Sequence, residues 1–257
     1  MTKEEIKFTP SNVFEGMTSI RAIISSIDSG IGDRRINKIL FDQEKIKKIS
    51  KEIGYFKAVS KKYGFELEGS DSKTINEYAL GNSHGGIIAL CSERTIPSLS
   101  MLDSLPQNGF YVMIQGIEDP YNFGYSLRSL YACGCTGIIL PERNWMSAAG
   151  VVARSSAGAS ELFPMYSAEA IEAAEFFKSR GYHIVCADEK TDNILGKCSL
   201  PLPLLLIIGG EKRGISASLM NLADTIVKIP YARHFPASLS AASATTIIAY
   251  EIARQNF

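Results

Sequence analysis

The chain has 257 residues, 46% of them hydrophobic, and its 27 basic residues are balanced by 27 acidic ones. That length accommodates one large domain or two modest ones, and the apolar fraction suffices for a full core. No apolar run approaches the roughly 18 residues of a membrane span, the N-terminus lacks the apolar stretch of a secretory signal, and zero net charge gives no overall bias toward nucleic acid. The cysteines (Cys91, Cys133, Cys135, Cys186, Cys198) are odd in number and form no Cys-x-x-Cys pairs. This predicts reduced thiols, no metal site, no membrane association and a cytoplasmic location.

In chain order, Val13 to Ile27 carries apolar residues at helical spacing and stops at Ser29-Gly30. Ile36 to Phe41 predicts a short strand. Lys45 to Tyr63 predicts a basic amphipathic helix, with Ile46, Ile49, Ile53, Phe56 and Val59 on one side and Gly64 as its C-cap. Phe65 to Glu68 alternates like a strand, Ser72 to Leu80 suggests a helix, and Gly85 to Cys91 is an apolar strand. Residues 1–95 thus form a small α/β module. From Asp33 to Tyr63 ten basic residues face four acidic ones, a net of +6. Arg34, Arg35, Lys47, Lys48 and Lys51 of this segment are candidates for sequence-independent phosphate contacts, with a solvated helix face as the alternative. Residues 96–106 carry two prolines and three serines and predict a linker.

From residue 107 onward the rhythm is strand, then helix. Strands are predicted at Phe110–Ile114, Gly137–Leu140, His183–Ala187, Leu204–Ile208 and Thr225–Ile229. Helices are predicted at Asn122–Cys133, Ala168–Ser179, Ser216–Asn221 and Ser243–Gln255. Near-continuous apolar strands suit a parallel sheet buried on both faces, so a doubly wound α/β sheet is the default architecture.

Three stretches stand where an apolar run gives way to a loop or helix: Asn122 to Arg128, Ile207 to Ile215, and Ile229-Pro230 with Ser238-Leu239-Ser240. Ligands bind at the carboxyl ends of strands in open α/β sheets, so these three point to one pocket. Gly209-Gly-Glu-Lys-Arg-Gly214 lacks the Gly-Lys-Ser/Thr ending of a P-loop, and no complete dinucleotide fingerprint is present. No Ser-His-Asp order is visible. His183 reads as structural within its strand, His84 as a turn residue before a double glycine, and His234 as part of the third stretch's loop.

Together these stretches resemble the SpoU-type (TrmH-like) RNA ribose 2′-O-methyltransferases of the SPOUT superfamily. Asp119 to Gly134 is similar to that family's first motif, Asn-x-Gly-x-x-x-Arg, and Ile207 to Ile215 to its second, Gly-x-Glu-x-x-Gly. Ile229-Pro230, Ser238 to Ser240 and Ala249-Tyr-Glu251 resemble the third, and Arg154 to Ala159 resembles a Ser-x-Gly-Ala element between the first two. The likeness covers roughly residues 107 to 257. More loosely, residues 1–95 resemble the ribosomal-protein-like α/β substrate-binding domain that often precedes this one, with His84-Gly-Gly-Ile87 at its end.

The resemblance implies a C-terminal trefoil knot, a homodimer and S-adenosylmethionine as cofactor. By motif position Gly209, Ile229 and Leu239, with Ile208 and Gly214 beside them, contact the cofactor. The catalytic set is Arg128, Asn122, Glu211 and Ser238. In the family the arginine matching Arg128 is proposed to take the hydroxyl proton. A guanidinium normally stays protonated, so gripping the neighbouring phosphate is the alternative role. Asn122 positions Arg128 or the ribose, Glu211 anchors the arginine or a neighbouring donor, and Ser238 bonds near the reaction centre. The implied substrate is structured RNA, ribosomal ahead of transfer RNA because of the extra N-terminal module.

Two departures stand out. Ser240 replaces the usual asparagine, and the loop Tyr231-Ala-Arg-His-Phe-Pro-Ala237 lacks the usual glycine, is about one residue longer, and is basic and aromatic, a composition suited to RNA stacking. The alternative function is therefore an RNA-binding protein of this fold with weak or lost catalysis. A small-molecule enzyme on a doubly wound sheet is a third, more distant, option.

Overall fold

The computed structural model describes residues 9, 11–81, 84–117, 119–141, 145–210 and 214–257. In chain order its first elements are β1 (Val13–Glu15), α1 (Gly16–Asp28), β2 (Ile36–Asp42), α2 (Ser50–Tyr63), β3 (Glu66–Ser70), α3 (Ser72–Tyr78) and β4 (Ile87–Cys91). Then come β5 (Phe110–Ile114), α4 (Pro120–Ala132), β6 (Gly137–Leu140), α5 (Ala149–Ser155), β7 (Met165–Ser167) and α6 (Ala170–Lys178). The chain closes with β8 (His183–Ala187), β9 (Leu204–Ile208), α7 (Ala217–Met220), β10 (Thr225–Val227) and α8 (Ala241–Asn256). These gather into two compact units, Met1–Thr95 with Trp145–Leu162, and Ile96–Asn144 with Phe163–Phe257.

In the first unit the sheet order is β1-β4-β2-β3. β4 runs antiparallel to both neighbours, and β2 pairs with β3 in parallel. All of β4 is buried, so both faces of the sheet are covered. Ile87, Ala89 and Cys91 join a core with Phe14, Ile23, Ile39, Ile53 and Phe56, while Ile88 packs with Leu40 and Ile75. Each large apolar side chain among them contributes about 1.5–3 kcal/mol on burial.

Val13–Glu15 is a strand and not the first turn of a helix. Its backbone pairs with β4 from Glu15↔Ile88 to Val13↔Leu90, and Gly16 at φ 75° turns the chain into α1. The predicted helix from Lys45 begins only at Ser50. Before it, the Asp42 carboxylate accepts the Glu44 N–H and caps a short 3-10 turn.

Residues 145–162 lie in the first unit, whereas the sequence pattern groups them with the C-terminal half. Gly150 and Gly158 let this segment pack closely. A Cβ at Gly150 would collide with the Val13 carbonyl, and one at Gly158 would meet the Ala22 methyl at 2.6 Å. Two ion pairs with buried carboxylates fasten it. Arg34 Nε donates to Glu161 Oε2 at 2.8 Å, and Arg154 Nη1 donates to Glu15 Oε2 at 2.9 Å. The Arg34 guanidinium also lies 4.7 Å from the centre of the Phe14 ring.

The second unit holds an all-parallel six-stranded sheet in the order β10-β8-β9-β5-β6-β7. Four strands have the predicted bounds, because each is an uninterrupted apolar run between turn residues. Leu205 and Ile207 of β9 belong to a core with Tyr111, Met113, Phe177 and Ile184, and Leu204, Leu206 and Ile208 are equally buried toward the other face. Residues 96–106 do not behave as a free linker. Leu99 is buried in this core, and the Ser167 N–H donates to the Pro97 carbonyl at 2.8 Å. α4 packs along α8, and Thr246 Oγ1 donates to Ser129 Oγ at 2.7 Å between them.

Candidate functional site

At the carboxyl edge of this sheet, β8, β9 and β10 end side by side around a cavity of about 450 Å³. This size is ordinary for a small-molecule site. Ile208, Gly209 and Gly214 line it from the second motif, Ile229 follows β10, and Ser238 and Leu239 precede α8. Two of the three stretches singled out in the sequence, Ile207–Ile215 and Ile229-Pro230 with Ser238-Leu239, therefore meet in one place, whereas no residue of the first, Asn122–Arg128, lines the cavity. Two glycines are required by crowding. A Cβ at Gly209 would run into the Gly214 backbone, and one at Gly210 would collide with the Gly116 carbonyl oxygen.

Other lining residues escape the sequence motifs. Ala187, Asp188 and Glu189 follow the core of β8, Val227 and Lys228 end β10, and Ala241, Ala244 and Ile248 come from α8. The Asp188-Glu189 pair carries the same signal as the recognised stretches, an apolar strand breaking into polar residues. The Asp188 N–H donates to the Val227 carbonyl at 3.1 Å, which ties the β8 and β10 ends together. Behind it, burial pushes the Cys186 thiol up to about 12, and the Asp188 charge adds to the shift, so this sulfur is a packing group and no nucleophile.

The four catalytic candidates are distributed unevenly. Ser238 lines the cavity and is exposed. Asn122 is half-buried in the first turn of α4, and Arg128 is exposed farther along it; neither lines the cavity of its own chain. Glu211 lies outside the described residues. α4 starts at Pro120, two residues before the predicted Asn122. Asp119 caps it by accepting the Tyr121 and Asn122 N–H groups at 3.1 and 3.3 Å, and a proline in the first turn completes the start signal.

Ser240, the departure from the third motif, has a structural task. Its Oγ accepts the Ser243 N–H at 3.2 Å and caps α8. It is not among the cavity-lining residues. Tyr231 and Phe235 of the unusual loop do line the cavity, and the Tyr231 hydroxyl accepts the Leu239 N–H at 3.0 Å.

The basic candidates divide. Arg35, Lys47, Lys48 and Lys51 are exposed. Arg34 is 3% exposed and paired with Glu161, so its role is structural, and the expectation that it meets RNA is corrected. His183 Nε2 lies 2.7 Å from Thr225 Oγ1 and links β8 to β10. His84 is buried, accepts the Gly86 N–H on Nδ1 at 3.1 Å and so carries its proton on Nε2, toward Asn76 Oδ1 at 3.0 Å. Burial, with the nearby Lys45 charge, holds its pKa below the usual imidazole value. His234 is exposed in the loop of the third stretch. Among the described residues no cluster of metal-binding side chains occurs, and no helix is long and apolar enough to cross a membrane.

The chemistry of the cavity fits S-adenosylmethionine. Ile208, Val227, Leu239 and Ile248 offer apolar walls for an adenine and a thioether stem, glycine backbone permits close approach, and Asp188 and Glu189 offer negative charge to a cationic ligand.

Comparison with known proteins identifies the family. The model of the SpoU rRNA methylase family matches residues 109–250, more than half of the chain. A 23S rRNA (guanosine-2′-O-)-methyltransferase, RlmB of Shewanella oneidensis, is 29% identical over 203 residues, covering 76% of this chain and 81% of its own. Among solved structures, an RNA 2′-O ribose methyltransferase superposes with a TM-score of 0.77 at 19% identity, over 95% of this chain and 88% of its own. The SpoU methyltransferase AviRb of Streptomyces viridochromogenes gives 0.75 at 23%, over 95% and 89%. The chain belongs to the SpoU rRNA methylase family, and it is an RNA methyltransferase.

Proposed function

We propose that this protein methylates a ribose 2′-hydroxyl in structured RNA, ribosomal RNA ahead of transfer RNA, and that the cavity at the ends of β8, β9 and β10 holds the methyl donor. The observation that carries this reading is the convergence of Ile208, Gly209, Gly214, Ile229 and Leu239 on one small-molecule-sized cavity. The choice of ribosomal RNA rests on the relative named for 23S rRNA and on the appended first unit with its exposed Arg35, Lys47, Lys48 and Lys51. A cytoplasmic location and the ribosomal-protein-like ancestry of that unit belong to the same reading, as does a knotted C-terminal segment threading α8.

When bound, S-adenosylmethionine supplies an activated methyl on a cationic sulfur. The protein's task is then alignment of a hydroxyl in line with that methyl. Gly209, Ile229 and Leu239 hold the donor through backbone and apolar contacts. Ser238, on the wall, hydrogen-bonds near the hydroxyl. Arg128 grips the adjacent phosphate with its planar fork and orients the ribose, a role suited to a group that does not release its proton. Asn122 positions it. Because Arg128 is exposed and absent from its own chain's cavity, it serves the cavity of a second subunit. Homodimer formation through α4 and α8 is supported by the exposed Tyr121 and Tyr125 near Arg128 and by Ile247 and Tyr250 on the packed neighbour. The inactive alternative is the weaker reading, because Ser240 caps a helix and takes no lining group away.

The test is Arg128→Ala. Methyl transfer to ribosomal RNA is expected to fall at least about 100-fold while calorimetric affinity for S-adenosylmethionine stays unchanged, with Arg128→Lys recovering only part. Full activity of Arg128→Ala would remove this residue from the reaction centre.

A further inference from the structure

The loop between Pro230 and Ser238 joins the donor cavity on one side and open solvent on the other. Tyr231 and Phe235 are 44% and 56% exposed, yet both line the cavity that Ile208 and Leu239 form. Their ring centres lie 6.4 Å apart with planes tilted by 49°. The Tyr231 hydroxyl accepts the Leu239 N–H at 3.0 Å, so the first ring is held in place by a residue of the cavity wall. Arg233 and His234, both exposed, lie between the two aromatics in the chain.

We propose that Phe235, supported by Tyr231, is a stacking platform for a nucleobase of the RNA substrate and presents the attached ribose at the mouth of the donor cavity. This rests on the methyltransferase reading above. Sequence-specific RNA recognition targets loops and bulges whose nucleotides are splayed out of the stack, and a base freed in this way needs a new π-partner. Such a partner has to be aromatic, solvent-facing and within one nucleotide of the donor, and the loop meets all three conditions. The donor's own adenine is a poorer occupant, because buried apolar walls are available deeper in the cavity at Ile208, Val227 and Ile248. Arg233, between the two aromatics in the chain, adds an exposed cation to the loop, which favours a phosphate-bearing partner over an apolar protein surface.

The experiment uses the full-length protein and its Phe235→Ala and Phe235→Tyr variants. Binding is measured by fluorescence anisotropy with a single-stranded oligoadenylate of about 12 nucleotides and with an abasic oligomer of the same length. Phe235→Ala is expected to bind oligoadenylate about tenfold more weakly, to lose nothing further on the abasic oligomer, and to raise KM for RNA more than it lowers kcat, while calorimetric affinity for S-adenosylmethionine holds within about twofold. Phe235→Tyr is expected to restore RNA affinity. Tyr231→Phe is expected to keep RNA affinity and weaken donor binding, since it removes the bond to Leu239. Unchanged RNA affinity in Phe235→Ala overturns the proposal. So does a loss confined to donor affinity, which makes the ring a cofactor contact, or a changed sedimentation mass, which makes it a subunit contact. A wild-type protein that binds no S-adenosylmethionine but keeps the tenfold RNA difference sinks the methyltransferase reading and leaves the platform standing.

Discussion

In the first unit Glu15, Arg34, Asp42, Arg94 and Glu161 are all buried, whereas among the described residues of the second no charged side chain is. What the second unit buries of a polar kind is mainly hydroxyl. Ser126 and Thr245 each donate to the carbonyl four residues earlier, at 2.9 and 2.7 Å, and need no tertiary partner. The difference follows from how each unit is assembled. The second closes around apolar strands that pair in parallel, and burial of Leu, Ile and Val with the backbone ladders holds it without buried ion pairs among its described residues. The first must recover a segment, residues 145–162, from far along the chain. Small residues such as Ala149, Gly150 and Ala153 bury little area, so matched charges specify where the segment docks.

Removing one of those charges breaks the contrast most severely. Glu161→Ala leaves Arg34 buried beside Phe14 without its carboxylate, and Arg94 nearby already commits two donors to the Ser160 and Ile31 carbonyls. A loss of about 3–5 kcal/mol in urea-unfolding stability is expected, confined to the first unit. By the same reasoning a fragment ending at Thr95 lacks both Glu161 and Arg154 and is expected not to fold. A Glu161→Ala protein with wild-type stability would mean that the pair decorates a core already held by apolar contacts.

The equivalent lesion in the second unit is steric. Gly210→Ala forces a methyl into the Gly116 carbonyl at the edge of the cavity proposed to hold the donor. At least tenfold weaker binding of S-adenosylmethionine is expected by calorimetry, with the sheet itself intact by circular dichroism.

The same contrast governs what can be read from sequence. Strands β5, β6, β8 and β9 are legible to the residue, because an apolar run between turn residues needs no knowledge of its neighbours. The three-residue β1 and β7 and the small-residue helix α5 carry too little pattern, and their existence depends on tertiary pairing. The return of 145–162 to the first unit is written in Arg34, Glu161, Arg154 and Glu15. Sequence shows four ordinary charges there and assigns Arg34 to RNA, because counting charge in a segment says nothing of burial. The site is legible where a strand end coincides with a motif, at Gly209, Ile229 and Leu239. It is only partly legible at Asp188, which has the strand-end signal but no motif, and at Tyr231, whose aromatic loop is readable but whose bond to Leu239 and place on the cavity wall come from three-dimensional adjacency.

A smaller effect sharpens the comparison at the rim of the second unit. Glu251 accepts bonds from Arg254 and Gln255, and these hold its carboxyl down to about 2. The Gln255 amide in turn binds the Leu200 N–H and the Cys198 carbonyl, so the carboxylate steadies the contact between α8 and the segment before β9. A depressed carboxyl pKa adds stability above the ordinary glutamate range and loses it as pH falls toward the folded value. Acid unfolding of the wild type should therefore carry a component between about pH 4.5 and 2 that Glu251→Gln lacks. Identical acid profiles would place the second unit's stability in its apolar sheet alone.

The smallest change in stability is expected from the exposed charges of the first unit. Lys47, Lys48 and Lys51 sit on the solvent side of the turn that opens α2, with their neighbours Ile49 and Ile53 buried. Reversing all three to glutamate removes no packing, so urea midpoints should move little. RNA affinity should fall, and the slope of log affinity against log salt should flatten by roughly 0.7 for each phosphate that the protein ceases to neutralise. This separates two uses of charge within one unit, since Arg34 and Glu161 act on folding and Lys47, Lys48 and Lys51 on a partner. An unchanged salt slope would assign the three lysines to solvation and leave Arg35, together with Arg233 of the second unit, as the basic groups to test for phosphate binding.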